Sequence, residues 1–135
     1  MSEQKTKPTT QSVNDFIQSL PEEKREQTSA LVTIFEKSTQ EIAVMWGEHI
    51  IGFGSYIIKS GKKESSWPLV SFSPRKGAFT LYGLLSAAGN RDLLPSLGKQ
   101  KVSGSCLHIT DLSQVSEEIL GKIIKNAYTQ GKTRD

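Results

Sequence analysis

The sequence predicts an α+β domain of two layers, an antiparallel sheet with the N- and C-terminal helices on one of its faces. Three observations carry that prediction. Apolar residues recur at helical spacing near both ends, from Val13 to Phe35 and from Val115 to Tyr128. Between Ile50 and Leu81, and again over Ser105–Thr110, apolar and polar residues alternate as they do in strands. Gly61 and the stretch Pro74–Gly77 divide the first alternating region into hairpin-sized runs. With 135 residues, 36% hydrophobic and 23% charged, the chain suffices for one core and is too periodic for general disorder.

Residues 1–11, with Lys5, Lys7, Pro8 and no apolar periodicity, read as a disordered tail. The folded domain is placed at 12–130, and 131–135 form a second tail. Ser12 caps a short helix carrying Val13, Phe16, Ile17 and Leu20 on one face, and Pro21 opens a second helix as its first residue. Glu22, Glu23 and Glu26 suit the positive end of that helix's dipole, Leu31, Ile34, Phe35 and Ser38 continue its stripe, and it ends near Thr39. From Ile50 the period becomes two, with Ile51, Phe53 and Ile57 on one side and Gly52, Gly54 and Tyr56 on the other. A second run starts at Pro68 through Leu69, Val70 and Phe72, and a third carries Phe79 and Leu81, which completes an antiparallel meander. Asn90–Leu97 reads as a short helix closed by Gly98, against Pro95, which removes one helical hydrogen bond. Ser105–Thr110 is a strand with Leu107 and Ile109 inward. Residues 115–128 form the last helix, capped by Ser113 or Ser116 and ended by Gly131.

Net charge is +3, unevenly spread: residues 59–101 carry eight basic and two acidic side chains, residues 1–58 five basic and eight acidic. A basic middle fits an anionic partner, whether small molecule, nucleic acid or acidic protein surface, although solvated lysines at Lys59, Lys62 and Lys63 account for part of it. No apolar run approaches the roughly 20 residues of a membrane helix, so no membrane partner is expected. The polar start lacks the apolar stretch of a signal peptide, so a cytoplasmic location is expected. The single cysteine agrees with a reducing compartment.

If the apolar strand residues face the helices, alternation sends Ser71, Ser73, Thr80, Tyr82, Cys106 and His108 to the opposite face. Arg75 and Lys76 sit on the turn beside it, and Lys99 and Lys101 just precede the strand of Cys106. A small anionic molecule can there receive charge-assisted hydrogen bonds from Arg75 and Lys99 and neutral ones from Ser73 and Tyr82. An antiparallel sheet with one wet face shows the same alternation without a ligand.

Cys106 with His108 offers two metal ligands on one strand, fewer than a zinc site takes, and a lone cysteine is mostly a small apolar residue. Trp46 and Trp67 bracket the first strand and read as packing anchors. Tyr56, Trp67 and Tyr82 are the candidates for base stacking, should the basic segment bind nucleic acid. Glu22, Glu23 and Glu26, with Glu36 and Glu41 further on, can offer oxygen ligands to a hard cation, though the helix dipole already explains the first three. No nucleophile elbow, P-loop, zinc-protease helix or dinucleotide fingerprint is present, so no catalytic role and no resident cofactor are expected.

Leu20-Pro21-Glu22-Glu23, Trp46-Gly47, Gly52-Phe53-Gly54-Ser55-Tyr56, Ser60-Gly61, Phe72-Ser73-Pro74-Arg75-Lys76, Leu81-Tyr82, Leu97-Gly98-Lys99 and Gly104-Ser105-Cys106-Leu107, in this order and spacing, resemble the YdhG-like family, domain-of-unknown-function family 1801. The resemblance spans about residues 12–128. It implies a small bacterial-type cytoplasmic α+β domain without a general assigned activity. Some members are proposed to be frataxin-like iron chaperones, which implies iron on acidic residues of the first long helix, here Glu22, Glu23 and Glu26. The leading expectation is a non-catalytic module binding a small anionic molecule through Ser73, Arg75, Lys76, Tyr82, Lys99, Cys106 and His108. The alternatives are an intracellular iron chaperone and a nucleic-acid binder.

Overall fold

In a computed structural model, which describes residues 12–47 and 49–132 and only the backbone of 57–60 and 63–65, Ser12 caps the first helix as its residue type predicts. Its Oγ accepts a hydrogen bond from the Asp15 N–H at 3.2 Å and starts α1, Val13–Gln18. The expected tail at 1–11 and most of the one at 131–135 lie outside the described residues. Pro21 takes the capping position of α2, Glu22–Thr39, so the helix begins one residue later than expected. The helix ends at Thr39, as its pattern predicts, and Gln40 follows in the left-handed conformation at φ 61°.

Six strands form one sheet: β1 Val44–Trp46, β2 Ile50–Ser60, β3 Lys63–Arg75, β4 Ala78–Tyr82, β5 Lys101–Ser103 and β6 Cys106–Ile109. Their spatial order is β1-β2-β3-β4-β6-β5, every neighbouring pair antiparallel. α3, Asn90–Leu97, connects β4 to β5, and α4, Glu117–Lys132, follows β6. The chain is thus α+β, with the N- and C-terminal helices flanking the sheet. No described helix is long and apolar enough to cross a membrane.

The core lies between the sheet and the pair α2 and α4. Phe35 of α2 stacks on Phe53 of β2, ring centroids 4.9 Å apart, and tilts against Phe72 of β3 at 5.2 Å. Ile51, Phe53, Val70, Phe72, Phe79, Leu81, Leu107 and Ile109 are fully buried, which is the inward set that strand alternation predicts. Leu120, Ile123, Ile124 and Ala127 close this layer from α4.

Four expectations are corrected. β1 and β5 escape the sequence pattern because three residues are too few to show a period of two. β3 begins at Lys63, five residues before Pro68, because Lys63-Glu64-Ser65-Ser66 is polar at every position and carries no alternation. α4 begins at Glu117 rather than Val115: Ser116 Oγ accepts from the Ile119 N–H at 3.2 Å, while Val115 forms an isolated bridge with Gly98. Gly131 does not end α4; a Cβ there would stand 2.9 Å from Leu69 Cδ2, so this glycine admits β3 rather than stopping the helix.

β4 pairs only with Ser71–Arg75 of β3. The preceding half of β3 therefore runs on with β2 alone as a two-stranded arm, turned at Gly61 and Lys62. That mismatch in strand length shapes the candidate site.

Candidate functional site

Direct partners in an antiparallel ladder share a face. The register pairs Ser71 with Tyr82, Ser73 with Thr80, Thr80 with His108 and Lys101 with His108, so these residues lie together on the side away from Phe72, Leu81 and Leu107. Arg75 and Tyr82 stand at opposite ends of the β3–β4 ladder, yet Arg75 Nη2 donates to Tyr82 Oη at 3.1 Å. Their side chains reach towards each other along the sheet. Ser73 and Thr80, in the register between them, are 0% and 7% exposed. Ser73 Oγ donates to the His49 carbonyl at 2.7 Å, and Thr80 Oγ1 lies 3.2 Å from His108 Nδ1.

Ser73 is therefore a support under the Arg75–Tyr82 couple rather than a free donor. Lys76 is exposed at the tip of the two-residue turn, where Gly77 supplies the φ of 83° that the hairpin needs. Lys99 does not join the group. Its N–H is tied to the Gln114 carbonyl at 3.1 Å, and it immediately precedes the β5 side of the sheet, three strand spacings or about 14 Å across from β3. Of the four residues expected to converge in one pocket, Ser73, Arg75, Tyr82 and Lys99, the hydrogen bonds join Arg75 to Tyr82, and Tyr82 is the one that lines a cleft among the described residues. Lys99 instead helps hold the Asp111 carboxyl below its usual range, after the larger effects of hydrogen bonds from the Ser113 N–H and hydroxyl. Cys106, a half-buried free thiol, lies two residues along β6 from His108.

The acidic set behaves differently. Glu22, Glu23 and Glu26 are exposed on the first turns of α2. Glu36 accepts from the Ala43 N–H at 3.1 Å, and Glu41 accepts from the Tyr128 hydroxyl. Among the described residues no group of three or more His, Cys, Asp or Glu side chains is arranged to hold a metal ion. The iron reading rests on these three exposed glutamates, with Glu36 and Glu41 already engaged in hydrogen bonds.

Sequence reasoning missed a cleft beside the Arg75–Tyr82 couple. It opens where β4 stops and β3 continues, with a volume of about 320 Å³. Its lining joins Tyr56, Trp67, Pro68 and Leu69 of the arm with Tyr82, Gly83 and Ser86 at the end of β4 and beyond it, Ala127 and Gly131 of α4, and Ile50 and Ser71. Tyr56 and Trp67 are direct cross-strand partners, both half-buried. The two indoles thus part company. Trp46 is 2% exposed and is the packing anchor expected, whereas Trp67 is a wall of this cleft. The signal available was the spacing of Tyr56, Trp67 and Tyr82, which registers as one place only once the strands are paired.

Comparison with family models, with curated proteins and with solved structures finds no match for this chain.

Proposed function

We propose that the chain is a non-catalytic binding module that receives a small anionic molecule on the outer face of its sheet, at Arg75. The YdhG-like resemblance and a cytoplasmic location belong to the same proposal. The observation that carries it is the Arg75–Tyr82 hydrogen bond at the rim of a cleft. A guanidinium offers five donors in a rigid fork, and the bond to Tyr82 engages one nitrogen, which fixes the plane of the group while leaving donors for a carboxylate or phosphate. Lys76 beside it adds positive potential, and among the described residues no carboxylate lines the cleft to oppose an anion. A ligand that binds only the folded state raises its melting temperature.

A thermal-shift screen with phosphate, sulfate and small carboxylates tests this. The wild type is expected to gain stability with at least one of them. Arg75→Ala is expected to lose that gain while melting nearly where the free wild type does, since an exposed cation contributes only about 0–1 kcal/mol to folding. An unchanged ligand shift in Arg75→Ala would refute the assignment.

A further inference from the structure

Resting on the anion reading just given, we infer that the molecule bound here carries a flat aromatic ring, seated in the cleft, with its anionic group about one ring-length away at Arg75. Tyr82 belongs to both halves of the site: its ring walls the cleft, and its hydroxyl holds the Arg75 guanidinium. A group lying on Tyr82 therefore has Arg75 at the far end of the same phenol. Tyr56 and Trp67 meet as direct ladder partners, which holds two more ring systems at the cleft without any loop having to order. All three aromatic side chains are half-buried, so each keeps surface open to a ligand. Pro68 and Leu69 add apolar wall, Ser71 and Ser86 add hydroxyls to those of Tyr56 and Tyr82, and none of the described lining residues is charged. Such a surface favours stacking and contact with an uncharged body, while the charge it tolerates is confined to the Arg75 end. The chemistry is that of an aryl phosphate or carboxylate, and a nucleoside monophosphate presents the same pair of groups.

Calorimetry at fixed ionic strength with inorganic phosphate, phenyl phosphate, ribose 5-phosphate and adenosine 5′-monophosphate separates these sources. Each ring-bearing probe is compared with its ringless counterpart. A stacked ring is expected to add about tenfold or more in affinity, within the range of base–aromatic stacking. A gain for phenyl phosphate alone assigns a simple aryl anion, and a gain for adenosine 5′-monophosphate alone a nucleotide; either supports the inference. Trp67→Leu and Tyr56→Leu should erase the gain and leave inorganic phosphate binding as it was. Tyr82→Phe, which keeps the ring and releases Arg75, should weaken all four probes while preserving the ratio, and circular dichroism confirms that each variant is folded. Equal affinities with and without the ring, or a ratio that survives in both leucine variants, overturn the inference while the anion reading stands on Arg75→Gln weakening every probe. If Arg75→Gln changes none of the affinities, the anion reading itself fails and this inference with it. Absence of binding by all four probes at millimolar concentration overturns the inference. So does an octanucleotide that binds over a hundredfold more tightly than the monophosphate with a steep salt dependence, which reassigns the cleft to single-stranded nucleic acid.

Discussion

Gly52 lies against the indole of Trp46, and a Cβ there would stand 2.4 Å from Trp46 Cδ1 and 2.8 Å from Pro68 Cβ. The missing side chain lets a large ring lie flat on the outer sheet face beside β3. Gly52→Ala is therefore expected to cost about 1–3 kcal/mol through overpacking, with a lower melting temperature and red-shifted tryptophan emission. Unchanged melting would mean that the indole relocates freely. This contact also explains why the two tryptophans were indistinguishable in the sequence: each flanks β2, and only the neighbours that strand pairing supplies decide which is covered. Thr28 presents the converse case, a fully buried hydroxyl with no hydrogen-bond partner among the described residues. Valine has nearly the same shape without the oxygen. Thr28→Val should raise stability by about 1 kcal/mol, because it removes a polar group that folding strips of water without replacement. A urea midpoint shifted downward by this variant would show that the hydroxyl has a partner after all.

Among the elements, α3 forms where the sequence pattern places it, in spite of Pro95. Pro95 lies inside an eight-residue helix, where it deletes a backbone hydrogen bond. Tertiary contacts outweigh that loss: Leu94 and Leu97 are buried, and the Asn90 side-chain amide donates to the Leu84 carbonyl at 2.7 Å and the Ile123 carbonyl at 2.9 Å. Because Pro95 itself is exposed, Pro95→Ala sacrifices no packing and restores a donor. It should raise the melting temperature, by an amount below the roughly 3 kcal/mol of a full interior proline penalty since the unfolded chain also gains freedom. A lower melting temperature would show that the proline's fixed φ stabilises the helix more than the missing bond weakens it. α2 and α4, with a long apolar period, and β4 and β6, with a clear alternation, were legible in the sequence because the same residues that set the pattern make the core. β1, β5 and the first half of β3 were not, since their places come from pairing with a neighbour rather than from their own side chains. The candidate site divides in the same way. Alternation was enough to put Tyr82 on the outer face beside Arg75, but the cleft depends on β3 outrunning β4, a difference in length that no local pattern records.

Across the whole molecule, the C-terminal helix is tied to the segment ahead of β1 by one polar contact, the Tyr128 hydroxyl donating to Glu41 Oε2. Lys132 lies 5.3 Å over the same ring. Burial, followed by the hydrogen bond to Glu41, pushes the Tyr128 phenol above its ordinary value of 10.0. The folded protein therefore keeps this proton to a higher pH than the unfolded chain does. In linkage terms the native state binds more protons above about pH 10, so the stabilisation is fully present below that value and is lost as pH rises through the folded-state pKa. Tyr128→Phe removes both the bond and the titration. At pH 8 the variant should be less stable by about 1.5 kcal/mol, the lower end of the contribution of a hydrogen bond to a charged acceptor, since the phenol is only half-buried. Between pH 9.5 and 11 the wild type should lose stability more steeply than the variant, so that the two denaturation curves approach each other. Parallel loss in both proteins over that range would mean that other groups carry the alkaline transition and that the Tyr128–Glu41 contact does not couple the last helix to the sheet.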